Sequence, residues 1–144
     1  QEVIGAMTPM DGAIEFVNWL KKRFQVIILS DTFYEFSEPL MRQLHYPTLF
    51  CHRLIVDELG VITGYKLRQK DPKRQCVKAF HKLNFRVIAS GDSYNDTTML
   101  SEADAGILFR APENVISEFS QYPAVHNYEE LKREFLKASN RDLI

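Results

Sequence analysis

The stretch VIASGDSYNDTTML, residues 87–100, sets Asp92, Asn95 and Asp96 directly after an apolar run. A carboxylate at the end of a buried strand, beside a glycine (Gly91) that lets backbone approach closely, offers the hard oxygen donors that suit Mg²⁺. Asp and Asn also serve as turn residues that bond their own backbone, and as helix N-caps. For a lone Asp the turn reading is the stronger one. The combination G-D-S-x-N-D after a buried strand shifts the balance toward a site for a divalent cation and a phosphate.

Two further places could contribute to such a site. Ser30 closes the apolar run QVIILS, and its hydroxyl, with the backbone N–H groups that follow at a helix start, could cradle a phosphate. Asp31, next in the chain, suits a helix cap, and Thr32 follows it. Lys73 opens a helix, where a cation is electrostatically out of place, and a bound anion would repair the conflict. Lys70, Arg74 and Lys78 read better as solvated surface cations. His45, His52, His81 and His126 show no metal-ligand spacing and read as structural. Trp19, Phe16 and Phe135 read as core packing.

These groups need a scaffold, and composition says which kinds are open. The chain has 144 residues, enough for one domain with a sizeable core, and its 18 basic and 19 acidic residues leave a formal charge of -1. That balance offers no surface for nucleic acid, and no apolar run approaches the roughly 20 residues that span a bilayer. Cys51 and Cys76 stand far apart without a C-x-x-C pattern, so they read as reduced thiols. With no secretory leader visible, the expected location is the cytoplasm.

The elements follow from periodicity. MDGAIEFVNWLKKRF reads as a helix with Asp11 as N-cap and Ile14, Val17, Leu20 and Phe24 near one face. QVIILS suits a strand buried on both faces, and FSEPLMRQL a helix with Pro39 in its first turn. HRLIVDELGVITGYKL reads as a β-hairpin turning at Glu58-Leu59-Gly60. DPKRQCVKAFHKL has Asp71 and Pro72 in cap and N1 positions, with Val77, Phe80 and Leu83 at helical spacing. RVIAS is a second buried strand, NDTTMLSEA a short helix and AGILF a further strand. PENVISEFS and YEELKREFLKAS supply the last helices. Buried strands alternating with helices argue for an α/β fold with a mainly parallel sheet, whose ligands bind beyond the carboxyl ends of the strands. Ser30 and Asp92 both fall there.

These pieces, in this order, resemble the haloacid dehalogenase-like phosphohydrolases. VIILS ending in Ser30 matches the second motif of that superfamily, Lys73 before a helix the third, and GDSYND the fourth. QVIILSDTFYEFSEPLMRQL, KLRQKDPKRQ and SGDSYNDTTMLSEADAGILFRAPENV are similar to the branch of phosphoserine phosphatases that also transfer the phosphoryl group to homoserine. The resemblance implies a three-layer Rossmann-like α/β fold with a β-hairpin insertion, and a phosphoaspartyl mechanism in serine and threonine biosynthesis. It implies Mg²⁺ as cofactor, with Asp92 a ligand and Asp96 orienting the site from behind it. Ser30, Asp31, Thr32 and Asn95 would contact phosphate or substrate, and Lys73 would bridge phosphate and nucleophile. The partners implied are small molecules, phosphoserine and homoserine; an oligomer is compatible with the sequence.

Two departures stand out. The family's first motif, a strand ending in D-x-D or D-x-E before a glycine, carries the nucleophile and lies centrally in its sheet. The opening QEVIGAMTPMDGAIEF does not supply it, so the first strand and most of the helical cap are expected to be absent from these residues. SDTF also stands where many relatives have glycines after the second-motif Ser. A catalytically inactive phosphate- or Mg²⁺-binding module is therefore the competing reading. A flavodoxin-like signalling domain is disfavoured, because QVIILS ends in Ser where that fold's phosphorylatable Asp should stand.

Overall fold

The computed structural model describes residues 6–139, so the first five residues of the opening segment read above lie outside the described residues. The described chain forms two compact units that divide between Lys70 and Asp71.

In the first unit, α1 (Ala13–Lys21) starts from Gly12, whose φ of 84° is left-handed. Asp11 is thus not the N-cap, and no side chain caps this helix. The glycine supplies the turn itself, since its missing Cβ removes the penalty of that conformation. Phe16 and Leu20 are the buried positions of α1, four apart on one face; Ile14, Val17 and Phe24 are only partly covered. Trp19 stacks on Phe16, with ring centroids 6.2 Å apart.

Strand β1 (Ile27–Phe33) runs three residues past Ser30 and is half-buried rather than enclosed on both faces. It pairs in parallel with β2 (Thr48–Val56), Ile27 opposite Thr48 and Leu29 opposite Phe50. Phe33 then lies opposite His52, so β1 carries extra residues between these pairs. This irregularity is a bulge of Ser30, Asp31 and Thr32. Bulges re-aim side chains beside sites and interrupt pairing. α2 (Tyr34–Gln43) begins ahead of the expected Phe36, so Pro39 falls inside the helix, not in its first turn. There its ring nitrogen cannot return the bond to the Glu35 carbonyl. The N-cap is Phe33, so Asp31 does not cap this helix.

The far half of β2 folds back on β3 (Ile62–Lys66) in the expected hairpin, Arg53 opposite Lys66 and Leu54 opposite Tyr65. Gly60 turns it with φ 80°, while Asp57 Oδ1 accepts bonds from the Leu59 and Val61 amides at 2.9 and 2.8 Å. One strand thus serves both a parallel ladder and a hairpin. The sheet order is β1-β2-β3.

The second unit contains α3 (Pro72–Lys82), β4 (Ile88–Gly91), a 3₁₀ turn (Tyr94–Asp96), α4 (Thr97–Glu102), β5 (Ala105–Phe109), α5 (Glu113–Glu118), β6 (Ala124–Val125) and α6 (Tyr128–Ser139). Its strands are all parallel, in the order β4-β5-β6, with Ser90 opposite Ile107 and Leu108 opposite Ala124. Val77, Leu100, Ile107, Leu108 and Val115 are its most deeply buried side chains. β6 has two residues and no periodicity to announce it. Leu83, expected on the apolar face of α3, is exposed, because the helix stops at Lys82 and Leu83 is its C-cap. Phe135 packs in the core as expected. Among the described residues no helix is long and apolar enough to cross a membrane.

Candidate active site

Asp96 is the centre of the second unit's polar cluster. Its Oδ1 accepts a bond from Lys73 Nζ at 2.7 Å, and both side chains are nearly buried, 12 % exposed for Lys73 and 8 % for Asp96. Its Oδ2 accepts from the Asp92 amide at 2.9 Å, the Ser93 amide at 3.2 Å and the Ser93 hydroxyl at 3.3 Å. Both carboxylate oxygens are therefore engaged. Burial works against the Asp96 anion, but the Lys73 bond and the Asp92 and Ser93 amides outweigh it and hold the acid below the usual carboxylate range. This stabilisation is present above the unfolded carboxylate's pKa and is lost as pH falls through the depressed folded value.

Asp92, one residue beyond β4, has the opposite character. Its side chain is exposed at the surface, yet partial desolvation and then the neighbouring Asp96 carboxylate raise its pKa. An anion held beside another anion at a strand end is a favourable place for a divalent cation. The donor set fits Mg²⁺ in a limited way: Asp92 could offer a carboxylate oxygen, whereas the oxygens of Asp96 are committed to Lys73 and to the turn. Among the described residues no group of three or more His, Cys, Asp or Glu side chains gathers to complete a coordination sphere. A Mg²⁺ ion commonly keeps several waters and takes substrate phosphate oxygens beside one or two carboxylates. Asn95 is exposed in the 3₁₀ turn between the two aspartates.

Lys73 opens α3 as expected, and the carboxylate of Asp96 is an anionic partner for its ammonium. Arg74 is not merely a solvated cation: its Nε donates to Glu102 at 3.0 Å, which ties α3 to α4. His81 Nε2 lies 2.9 Å from Asp104, whose Oδ2 also accepts the Val87 amide at 2.7 Å, in keeping with a structural reading.

The first unit holds Ser30, Asp31 and Thr32 in the β1 bulge. Ser30 Oγ accepts the Thr32 amide at 3.2 Å, which closes a local turn and leaves the hydroxyl proton to donate. His52 is buried and its Nδ1 accepts the Arg68 amide at 3.0 Å, so the ring proton sits on Nε2. That nitrogen lies 3.7 Å from Asp31 Oδ1. Asp31 thus lies near His52 rather than at a helix start.

Two contributors were not singled out from sequence. Ser93 was passed over, although S-x-x-D before a helix is a capping pattern that could have flagged it. Thr98 donates to Asp71 Oδ1 at 2.8 Å, a long-range bond that no local pattern announces. Gly91 matters for a reason beyond backbone approach. A Cβ there would stand 2.6 Å from Asp96 Cγ and Oδ2. Gly91→Ala should therefore push Asp96 off Lys73 and cost about 1–3 kcal/mol. Urea unfolding of the full-length variant measures this. A stability equal to wild type would mean that Asp96 has room to move.

Comparisons with known proteins give the family and the fold. Residues 1–104 match the haloacid dehalogenase-like hydrolase model. The chain is 71 % identical over 143 residues to the phosphoserine phosphatase ThrH of Pseudomonas aeruginosa, spanning 99 % of this chain and 70 % of that protein. It is 69 % identical over 144 residues to a phosphoserine phosphatase of Pseudomonas syringae pv. tomato, of which it spans 61 %. A crystal structure of an apo phosphoserine phosphatase superposes with a TM-score of 0.76 at 26 % identity, covering 94 % of this chain and 70 % of that one. With an α/β fold, a strand-end Asp92 and a helix-opening Lys73 joined through Asp96, the chain belongs to the haloacid dehalogenase-like hydrolases.

Proposed function

We propose that the full-length protein is a Mg²⁺-dependent phosphoserine phosphatase that also passes the phosphoryl group to homoserine. It would work through an aspartyl phosphate whose carboxylate comes from sequence outside residues 1–144. The observation that carries this reading is the Lys73–Asp96 ion pair, nearly buried and bonded to the backbone of Asp92. It fixes a cation and a strand-end carboxylate in one small cluster.

In this reading an aspartate attacks phosphorus, serine leaves, and water or homoserine then takes the phosphoryl group. Splitting one displacement into two lowers the barrier of each. Lys73 carries three N–H donors, so pairing with Asp96 is compatible with holding a phosphoryl oxygen as well. Asp96 keeps the ammonium charged and aimed. The family resemblance assigns phosphate contacts to the Ser30 hydroxyl and the Asn95 amide, and substrate contacts to Thr32 and Asp31. Mg²⁺ bound at Asp92 would neutralise the charge that gathers on the phosphoryl oxygens in transfer. The names of the relatives support phosphoserine, and the strand-end Asp92 carboxylate beside Asp96 supports Mg²⁺.

The test contrasts two lysines three residues apart. Lys73→Ala should lower phosphate release from phosphoserine by about 10²-fold or more, as loss of an electrostatic stabiliser does. Lys70→Ala, outside the cluster, should keep most of it. The reverse pattern would move the essential cation to Lys70 and overturn this assignment.

A further inference from the structure

Asp71 immediately precedes α3 with φ 49° and ψ 55°, a left-handed conformation uncommon outside glycine. Its carbonyl accepts the Gln75 amide at 3.1 Å and so begins the helix, but its side chain does not cap that helix. The carboxylate instead turns across to α4, where Oδ1 accepts the Thr98 hydroxyl at 2.8 Å. Lys73 and Asp96 lie two residues away from this bond on the same two segments. Arg74 and Glu102 form a third crossing between them.

We propose that the Asp71–Thr98 bond is a latch that positions Lys73 for phosphoryl transfer, an inference that rests on the role assigned to Lys73 above. The three crossings divide the labour. The Arg74–Glu102 pair, the most exposed of the two ion pairs, holds the helices together loosely. The Asp71–Thr98 bond fixes where α3 begins, and with it the height of Lys73 along Asp96. It also occupies the one carboxylate that stands two residues from Lys73 in sequence. With Thr98 removed, that carboxylate is free to compete with Asp96 for the ammonium. A left-handed Asp is then held in place by its partner on α4 rather than by its own helix. Asp71 and Thr98 act through Lys73 and are positioning residues.

The test uses the full-length protein and compares Thr98→Val, Asp71→Gly and their double variant with the conservative Thr98→Ser and Asp71→Asn. Asp71→Gly keeps the left-handed backbone at no cost and removes only the acceptor, which separates the latch from the backbone strain. Both disruptive variants should lower kcat for phosphoserine by roughly tenfold to a hundredfold with KM little changed, the scale of a misplaced catalytic group. The double variant should fall no further than either single one, since the two share one interaction. Thr98→Ser and Asp71→Asn should restore most of the loss. A second readout is independent of turnover: the slowly exchanging ammonium resonance of Lys73 in ¹⁵N NMR should be lost in Thr98→Val and Asp71→Gly and retained in the conservative pair. Wild-type kcat and an intact Lys73 resonance in the disruptive variants would overturn the latch while leaving the Lys73 assignment standing. Full activity in Lys73→Ala would overturn both. A protein with no phosphatase activity at all would remove the functional reading, and the Lys73 resonance alone would then decide whether the latch holds the lysine.

Discussion

Asp92→Asn in the full-length protein is expected to reduce phosphate release from phosphoserine by about 10²–10³-fold, roughly 3–4 kcal/mol in the barrier. It should also shift the Mg²⁺ concentration needed for half-maximal rate upward. The substitution preserves shape and removes charge, so it isolates the electrostatic role. Asp92 is a sharper place to make it than Asp96, because Asp96 holds Lys73 and two backbone amides, and its loss would disturb the turn as well. At position 92 the amide donates to Asp96 Oδ2, and that backbone bond is kept when the side chain becomes Asn. Desolvation and then the Asp96 anion raise the Asp92 pKa, so its negative charge carries a cost that a bound cation would relieve. Asp104→Asn is the comparison. Asp104 accepts the Val87 amide and meets His81, and an Asn oxygen can still accept that amide, so turnover and Mg²⁺ response should stay near wild type. Near-normal activity of Asp92→Asn at ordinary Mg²⁺ would remove it from the metal site.

The sequence made the second unit more legible than the first, and the reason is physical. In residues 71–139 each element except β6 carries its own local pattern. Pro72 follows Asp71 at the start of α3, apolar residues fill β4 and β5, and G-D-S-x-N-D marks the turn between β4 and α4. Local pattern and tertiary placement coincide there, and the structure brings Asp92, Asp96 and Lys73 into one cluster. In the first unit the apolar run ends at Ser30, while β1 continues through the irregular Ser30–Thr32 stretch to Phe33. Reading the helix from Phe36 rather than Tyr34 puts Pro39 in its first turn; Asp31 as a cap is a separate reading, which the extension of β1 to Phe33 overturns. Asp11 was lost to Gly12 for a similar reason, because a side-chain cap and a left-handed glycine are alternative solutions to one helix start. Bonds such as Thr98 to Asp71 join residues 27 apart and leave no local trace.

Residues 1–144 alone are expected to show no phosphoserine turnover and to be poorly stable, the largest effect expected for this protein. The chemistry and the architecture lead there separately. Ser30 and Lys73 can hold a phosphate, and Asp92 and Asp96 are assigned to the cation and to Lys73, so none of them is the attacking carboxylate of the proposed mechanism. In each unit, a strand that leads to a candidate site is also the edge of its sheet. β1 ends the order β1-β2-β3 and β4 ends the order β4-β5-β6, so each presents a row of N–H and C=O groups with no strand partner among the described residues. Each such group costs about 1–3 kcal/mol if buried without a partner, against a domain stability of only ~5–15 kcal/mol. Left in water instead, such an edge is a template for pairing with another chain. In the proposed mechanism the carboxylate comes from sequence outside these residues, and a strand that carried it could also pair with such an edge. The experiment measures phosphate release from phosphoserine with Mg²⁺, and the size of the particle in solution, for residues 1–144 and for the full-length protein. The short chain should be inactive and aggregated or self-paired, and the longer one active. Equal turnover in both would place the nucleophile within these residues and send the search back to Asp31, the remaining carboxylate in a strand beside a candidate phosphate contact.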